Sequence, residues 1–144
     1  SDASLSNQAL AERVHVSPPT CLRRVRRLQA SGLIERQVAL LQPDRLAALQ
    51  GHGLTAIVEV SLDRQGAEHL DAFEARAVAD PAVQQCWRVS PGPDFVLVAH
   101  ARDMPGYLAL SQRLFTQDAN VRNVKAFFAT HRAKFETKLP VTLA

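Results

Sequence analysis

Residues 6–32 read SNQALAERVHVSPPTCLRRVRRLQASG, and the two halves of this stretch carry different patterns. In residues 5–14, Leu10 and Val14 recur at i, i+4 with Ala9 and Ala11 beside them. That spacing predicts a short helix with Ser6 as its N-cap. His15 and Val16 make a turn. Ser17 then precedes Pro18, an N-cap followed by proline at the first helical position, where the missing N–H costs nothing. A second helix is expected from Pro18 to about Ser31, closed by Gly32 in the left-handed conformation, with Leu33 folding back onto its last turn.

The second helix sorts by face. Cys21, Val25 and Leu28, with Leu22, form an apolar stripe; Thr20, Arg23, Arg24 and Arg27 lie on the other side, with Arg26 near the edge. Two short helices joined by a tight turn, the second apolar inside and basic outside, have the layout of a helix-turn-helix. DNA reading needs this division: one face packs while the other enters the major groove and offers guanidinium forks to phosphates or guanine. Ser17 and the first-turn N–H groups are a further place for a phosphate. The plain alternative is a solvated basic face. The preceding helix, the Ser-Pro start and the lack of acids weigh against it.

Charge is distributed accordingly. The chain of 144 residues carries a net charge of +3. Residues 1–50 hold seven arginines against four acids, and the remainder is balanced. Residues 17–31 contain four arginines and no acid, a local anion-binding surface. Apolar residues make up 47% and charged residues 22%, enough apolar surface for a core and far from a disordered composition. No apolar run approaches the roughly 18–20 residues that span a bilayer, so no membrane partner is expected. Ser1-Asp2-Ala3-Ser4 lacks the regions of a secretion signal, and a cytoplasmic protein is the expectation. Cys21 and Cys86 read as reduced thiols, and five scattered histidines show no metal-ligand spacing. Neither metal nor cofactor is expected.

Outward from the motif, residues 33–41 (LIERQVALL) read as a connecting strand, and residues 45–49 as one helical turn. Gln50-Gly51-His52-Gly53 has loose turn composition and is the expected boundary between a domain of residues 1–50 and one of residues 51–144. Residues 54–62 (LTAIVEVSL) alternate as a strand, and residues 68–78 place Leu70, Phe73 and Ala77 on one helical face. Residues 83–90 and 95–101 are strands joined by Pro91-Gly92-Pro93-Asp94 as a hairpin. Asp103 and Pro105 open a helix to about Thr116, with Leu108, Ser111 and Phe115 on one face and Tyr107, Leu110 and Leu114 beside them. Residues 121–128 make the last strand. The order β-α-β-β-α-β is the ferredoxin-like arrangement, so the fold class is α+β. Helices cover one face of such a sheet. Ile57, Trp87 and Val96 or Leu97 are expected on the other, which calls for a partner chain.

Ser6-Asn7, the run from Leu10 to Val14, the run from Val16 to Leu28, and Gly32-Leu33-Ile34 together resemble the DNA-binding half of the Lrp/AsnC (feast/famine) transcriptional regulators. The family pattern runs close to S-N-x-x-L-A-x-x-V-x-L-S-x-x-x-C-L-R-R-V-x-x-L-x-x-x-G-x-I. The resemblance continues through the ferredoxin-like half and covers essentially all 144 residues. It implies a cytoplasmic regulator that binds double-stranded DNA as a homodimer, assembles into tetramers or octamers through its second domain, and senses a small molecule, usually an amino acid. The residues placed against DNA are Ser17, Pro18, Pro19, Thr20, Arg23, Arg24, Arg26 and Arg27. Family members carry one more helix ahead of the helix-turn-helix. The expected first domain is therefore winged-helix-like with its first helix missing.

The family's turn between the middle strands usually reads Gly-acid-aromatic-Asp. Here Ser90-Pro91-Gly92-Pro93-Asp94-Phe95 keeps Asp94 but puts proline at the usual glycine and shifts Gly92 by one. By resemblance, Ser90, Gly92 and Asp94 are candidates for the effector, Asp94 for an ammonium group and neighbouring N–H groups for a carboxylate. The two prolines remove donors and stiffen the loop. The plain reading is that Asp94 caps a tight turn. Lys125 stands where the family often has small hydroxyl residues and is a candidate contact for an acidic ligand group.

No phosphate-binding glycine loop, catalytic elbow or carboxylate pair marks an enzyme. The second functional reading is a stand-alone amino-acid-sensing and oligomerisation module whose truncated helix-turn-helix does not bind DNA.

Overall fold

A computed structural model of the chain describes residues 3–142; Ser1 and Asp2, at the start of the expected first domain, and residues 143–144 lie outside the described residues. The chain divides into two compact units. One runs to Leu41 and also includes the segment from Glu136, and the other is Gln42–Phe135. The division falls after Leu41 rather than after Gln50.

In the first unit, α1 (Asn7–Arg13) and α2 (Pro18–Ala30) form the helical hairpin. Ser6 Oγ accepts the Ala9 N–H at 3.1 Å, the expected N-cap. The turn closes α1 with two carbonyl-satisfying bonds, His15 N–H to Glu12 O and Val16 N–H to Ala11 O. These are the two bonds of a Schellman cap, and His15 supplies the left-handed residue with φ +57°. Asn7 Nδ2 donates to Pro18 O at 2.9 Å and ties the start of α1 to the start of α2. Gly32 is left-handed as expected, at φ +77°.

Four details depart from the sequence reading. Ser17 does not cap α2 with its side chain; its hydroxyl donates to Thr20 Oγ1 at 2.9 Å. The apolar stripe is only partly covered: Cys21 is buried and Val25 half-buried, but Leu22 is 38% exposed and Leu28 is exposed as well. Leu33 is 76% exposed, and it is the Ile34 N–H that reaches back to Leu28 O. Residues 33–41 form no strand. Their β-branched residues have no ladder partner, and an unpaired strand leaves its backbone groups to water.

In the second unit, α3 (Pro43–Gln50) precedes β1 (Leu54–Leu62), α4 (Ala67–Ala79), β2 (Val83–Arg88), β3 (Phe95–Ala101), α5 (Met104–Ser111) and β4 (Val121–Phe128). The sheet is antiparallel in the order β2-β3-β1-β4, the ferredoxin-like topology. Asp103 Oδ1 accepts the Gly106 N–H at 2.8 Å and starts α5. A π-helical turn, Gln112–Thr116, prolongs it. Its wider winding lets the adjacent Leu114 and Phe115 both be buried, so the buried face is Tyr107, Leu110, Leu114 and Phe115 while Leu108 is exposed.

Alternation along the strands places the core on the helix-covered face. Ala56, Val58, Val60 and Leu62 of β1 meet Phe95, Leu97, Ala99 and Ala101 of β3 beneath Phe73 and Ala77 of α4. Leu97 is therefore core, and Val96 belongs to the open face. That face carries Ile57 (41% exposed), Trp87 (59%) and Phe127 (45%). The ladder register lines up Val98, Ile57 and Phe127 in one row across three strands.

Candidate DNA-reading helix and ligand sites

On α2, Arg23, Arg24, Arg26 and Arg27 are all exposed, and none forms an ion pair among the described residues. Cys21 is buried on the opposite side. The helix thus presents four unpaired guanidinium groups from a rigid rod, with charge and donors free for an external anion. Thr20 is half-buried at the head of the same face, bonded to Ser17. Pro18 and Pro19 carry no N–H, and the Cys21 N–H is bonded to Ser17 O. Few first-turn donors therefore remain for a phosphate, and the side chains carry the face.

Ser90, Gly92 and Asp94 fall together in the β2–β3 loop, where Gly92 has φ +119° and the Ser90–Pro91 peptide is cis. The Asp94 carboxylate is already engaged: Oδ2 accepts the Leu62 N–H at 2.7 Å and Gln65 Nε2 at 3.3 Å. Its own N–H donates to Val60 O at 2.9 Å. Asp94 fastens the hairpin to the end of β1. Lys125 is not brought to this loop. It lies on β4, paired with Glu59 and two strands away from β3, with Nζ 5.1 Å from the Phe127 ring centroid.

A cavity of about 560 Å³ opens elsewhere in the second unit. Asp44, Leu46 and Gln50 of α3, His52 of the following loop, and His100 and Arg102 at the end of β3 contribute to its lining. None of these was singled out as a ligand from sequence. His52 and His100 are far apart in the chain and line the same cavity because the β1–β3 ladder returns the end of β3 to the start of β1. Among the described residues no group of three or more His, Cys, Asp or Glu is placed to hold a metal ion, and no helix is long and apolar enough to cross a membrane. The Cys86 thiol is pushed up by burial and, less, by Glu74, which disfavours its reactive thiolate.

Two family models match the chain. The Lrp/AsnC ligand-binding domain matches residues 55–139, and the winged helix-turn-helix DNA-binding domain matches residues 1–35. The leucine-responsive regulatory protein of Rhizobium meliloti is 35% identical over 92% of this chain and 83% of its own length. An AsnC family transcriptional regulator from Agrobacterium tumefaciens superposes with a TM-score of 0.83 at 29% identity, covering 96% of this chain and 88% of that one. A Neisseria meningitidis transcriptional regulator in complex with L-methionine gives a TM-score of 0.82 at 29% identity, over 95% and 86%.

Proposed function

Because the chain belongs to the Lrp/AsnC family of transcriptional regulators, we propose that it is a sequence-specific DNA-binding regulator whose activity is set by an amino-acid effector. The observation that carries the DNA part is the α2 surface: Arg23, Arg24, Arg26 and Arg27 exposed and unpaired opposite the buried Cys21. In this reading Ser17, Pro18, Pro19, Thr20, Arg23 and Arg24 of the first turns face base edges and flanking phosphates, and Arg26 and Arg27 take backbone phosphates further along. The amino-acid effector is supported by the methionine-bound Neisseria relative.

Two recognition helices on a symmetric dimer would read half-sites about one helical turn apart, on the order of 34 Å. The open sheet face supplies the self-complementary surface for that dimer, with tetramers or octamers built from it. Effector binding acts by favouring one assembly or helix spacing over another. Chemistry on the effector plays no part in this reading.

The experiment is an anisotropy titration of the full chain against operator and unrelated duplexes at several salt concentrations. Arg23→Ala with Arg24→Ala is expected to flatten the log–log salt dependence by about 1.8 units if both meet phosphates, and to erode sequence discrimination if either reads a base. Unchanged binding in that double variant rejects α2 as the reading helix.

A further inference from the structure

We infer that Asn7 is a positioning residue for DNA reading: its side-chain amide, donating to the carbonyl of Pro18, fixes the angle at which α2 enters the groove. This role rests on the reading of α2 as the recognition helix and adds to it a residue that acts through α2 rather than on DNA.

The first turn of α2 has few fixings of its own. Ser17 makes no side-chain cap bond to it, and Pro18 and Pro19 bring no N–H. Proline presets φ inside the turn but does not decide where the turn points. Apolar packing between the two helices is slight. Ala11 is the buried residue of α1 and Cys21 that of α2, with Leu10 and Val25 half-buried and Val14, Leu22 and Leu28 exposed. Two small side chains at the centre of a contact provide little of the ridge-and-groove interlock that sets the crossing angle of larger ones.

Asn7 supplies a second point of attachment. Residues 14–17 join the C-terminal end of α1 to the start of α2 through the chain itself. Asn7 stands at the opposite end of α1, and its Nδ2 reaches Pro18 O at 2.9 Å across 11 residues. The first turn of α2 is thereby tied to α1 from both of its ends, which opposes rotation about the connecting turn. The distance is that of a well-formed N–H···O bond. A carbonyl has two lone pairs, so the amide can add to the bonding of the helix without displacing it. Ser6 Oγ meanwhile accepts the Ala9 N–H at 3.1 Å and keeps the end of α1 that carries Asn7 wound.

The angle matters more for reading sequence than for holding DNA. Hydrogen bonds to base edges weaken steeply when their geometry is disturbed. Attraction between a guanidinium and a phosphate falls slowly with distance and survives a small tilt. The α2 face carries its arginines on both kinds of duty in the reading above, so a tilt of the helix costs discrimination first. Asn7 is uncharged and adds nothing to the counterion release that drives non-specific binding.

The test is an anisotropy titration of the full chain against two duplexes, one enriched by the wild-type chain from a random-sequence pool and one a scramble of the same composition. Asn7→Ala and Asn7→Leu both remove the donor, and the second keeps close to the native side-chain volume. Each is expected to weaken the enriched duplex about tenfold, the scale of one hydrogen bond lost at each of two reading helices. The scrambled duplex should change by less than twofold, with an unaltered salt slope on either one. Retained binding to the scramble also shows that the helix-turn-helix of the variant is folded. Equal weakening of both duplexes by both variants overturns the role, because loss of the fold or of a phosphate contact acts in that way. Wild-type discrimination in both variants overturns it too. A wild-type chain that enriches no sequence overturns the sequence-specific regulator itself, a result distinct from either of these.

Discussion

Arg113 grips Asp80 across 33 residues of chain: Nε lies 2.5 Å from Oδ2 and Nη2 2.9 Å from Oδ1. Asp80 is the buried charged residue of the second unit, and it also accepts the Ala82 N–H at 3.0 Å. The guanidinium comes from the π-helical turn and the carboxylate from the end of α4, so the pair clamps the two helices over the sheet. Hydrogen bonding from Arg113 holds the Asp80 carboxyl below its usual range, outweighing the opposing effect of burial.

Asp80→Asn keeps the shape and removes the charge. The expected cost is about 2 kcal/mol at pH 7, in the range for a charge-assisted pair with one exposed partner. The sign of the pH dependence follows from the direction of the shift. A carboxyl lowered on folding contributes stability that is full above its unfolded value of about 4 and is lost as pH falls through the folded value. Urea unfolding of wild type and variant should therefore differ most between pH 5 and 7 and begin to converge only as the pH falls below about 4. A gap that stays constant to pH 2.5 would show that the loss is one of packing.

His15 occupies the left-handed position of the Schellman cap between α1 and α2. A Cβ in that conformation costs about 1 kcal/mol relative to glycine. His15→Gly is expected to raise the stability of the helix-turn-helix by an amount of that order, less the extra entropy of the unfolded chain. Hydrogen exchange of the α1 and α2 amides is the readout, with slower exchange confined to the first unit. Faster exchange there would mean that the imidazole makes a stabilising contact of its own.

Strands that pair within the chain were the most legible part of the fold. Residues 54–62 read as a strand from alternation and β-branched residues, and β1 has those bounds because Val58, Val60 and Leu62 share one buried face. Residues 33–41 have similar composition and form none, because a strand needs a ladder partner that composition does not report. The face of Val96 against Leu97, and the distance of Lys125 from Asp94, depend on register, which only the paired sheet sets. The basic face of α2 was legible because helical spacing is local. The cavity was not, since Asp44, His52, His100 and Arg102 converge through tertiary contacts and carry no motif.

The second unit's core centres on Phe73, whose ring lies 4.8 Å from Phe95 and 6.4 Å from Phe115 between centroids. These rings join α4, β3 and the π-helical turn. Phe73→Ala removes the shared partner and is expected to cost about 3–5 kcal/mol, a large part of the stability of a domain this size. Chemical denaturation should show the loss in the transition of the sheet. A cost under 1 kcal/mol would mean that the neighbouring rings close the gap.

Trp87 is the only tryptophan of the chain, and it stands 59% exposed on the open face of the sheet. Beside it run Val96 on the same row and Val98, Ile57 and Phe127 on the next. An apolar row of this kind on an antiparallel sheet is unfavourable in water and suits a two-fold contact in which the same patch faces itself. The indole then reports assembly directly: its emission should move to shorter wavelength as protein concentration rises through the dimer dissociation constant. Trp87→Glu removes the reporter along with the contact, so light scattering is needed for that variant. It should weaken dimerisation about thirtyfold or more, the scale of losing a central aromatic contact and burying a charge in its place. Ile57→Lys, which keeps the fluorophore, should hold the emission at the long-wavelength position over the same concentrations. An Ile57→Lys protein that still shifts and still scatters as a dimer would place the self-association surface elsewhere on the molecule.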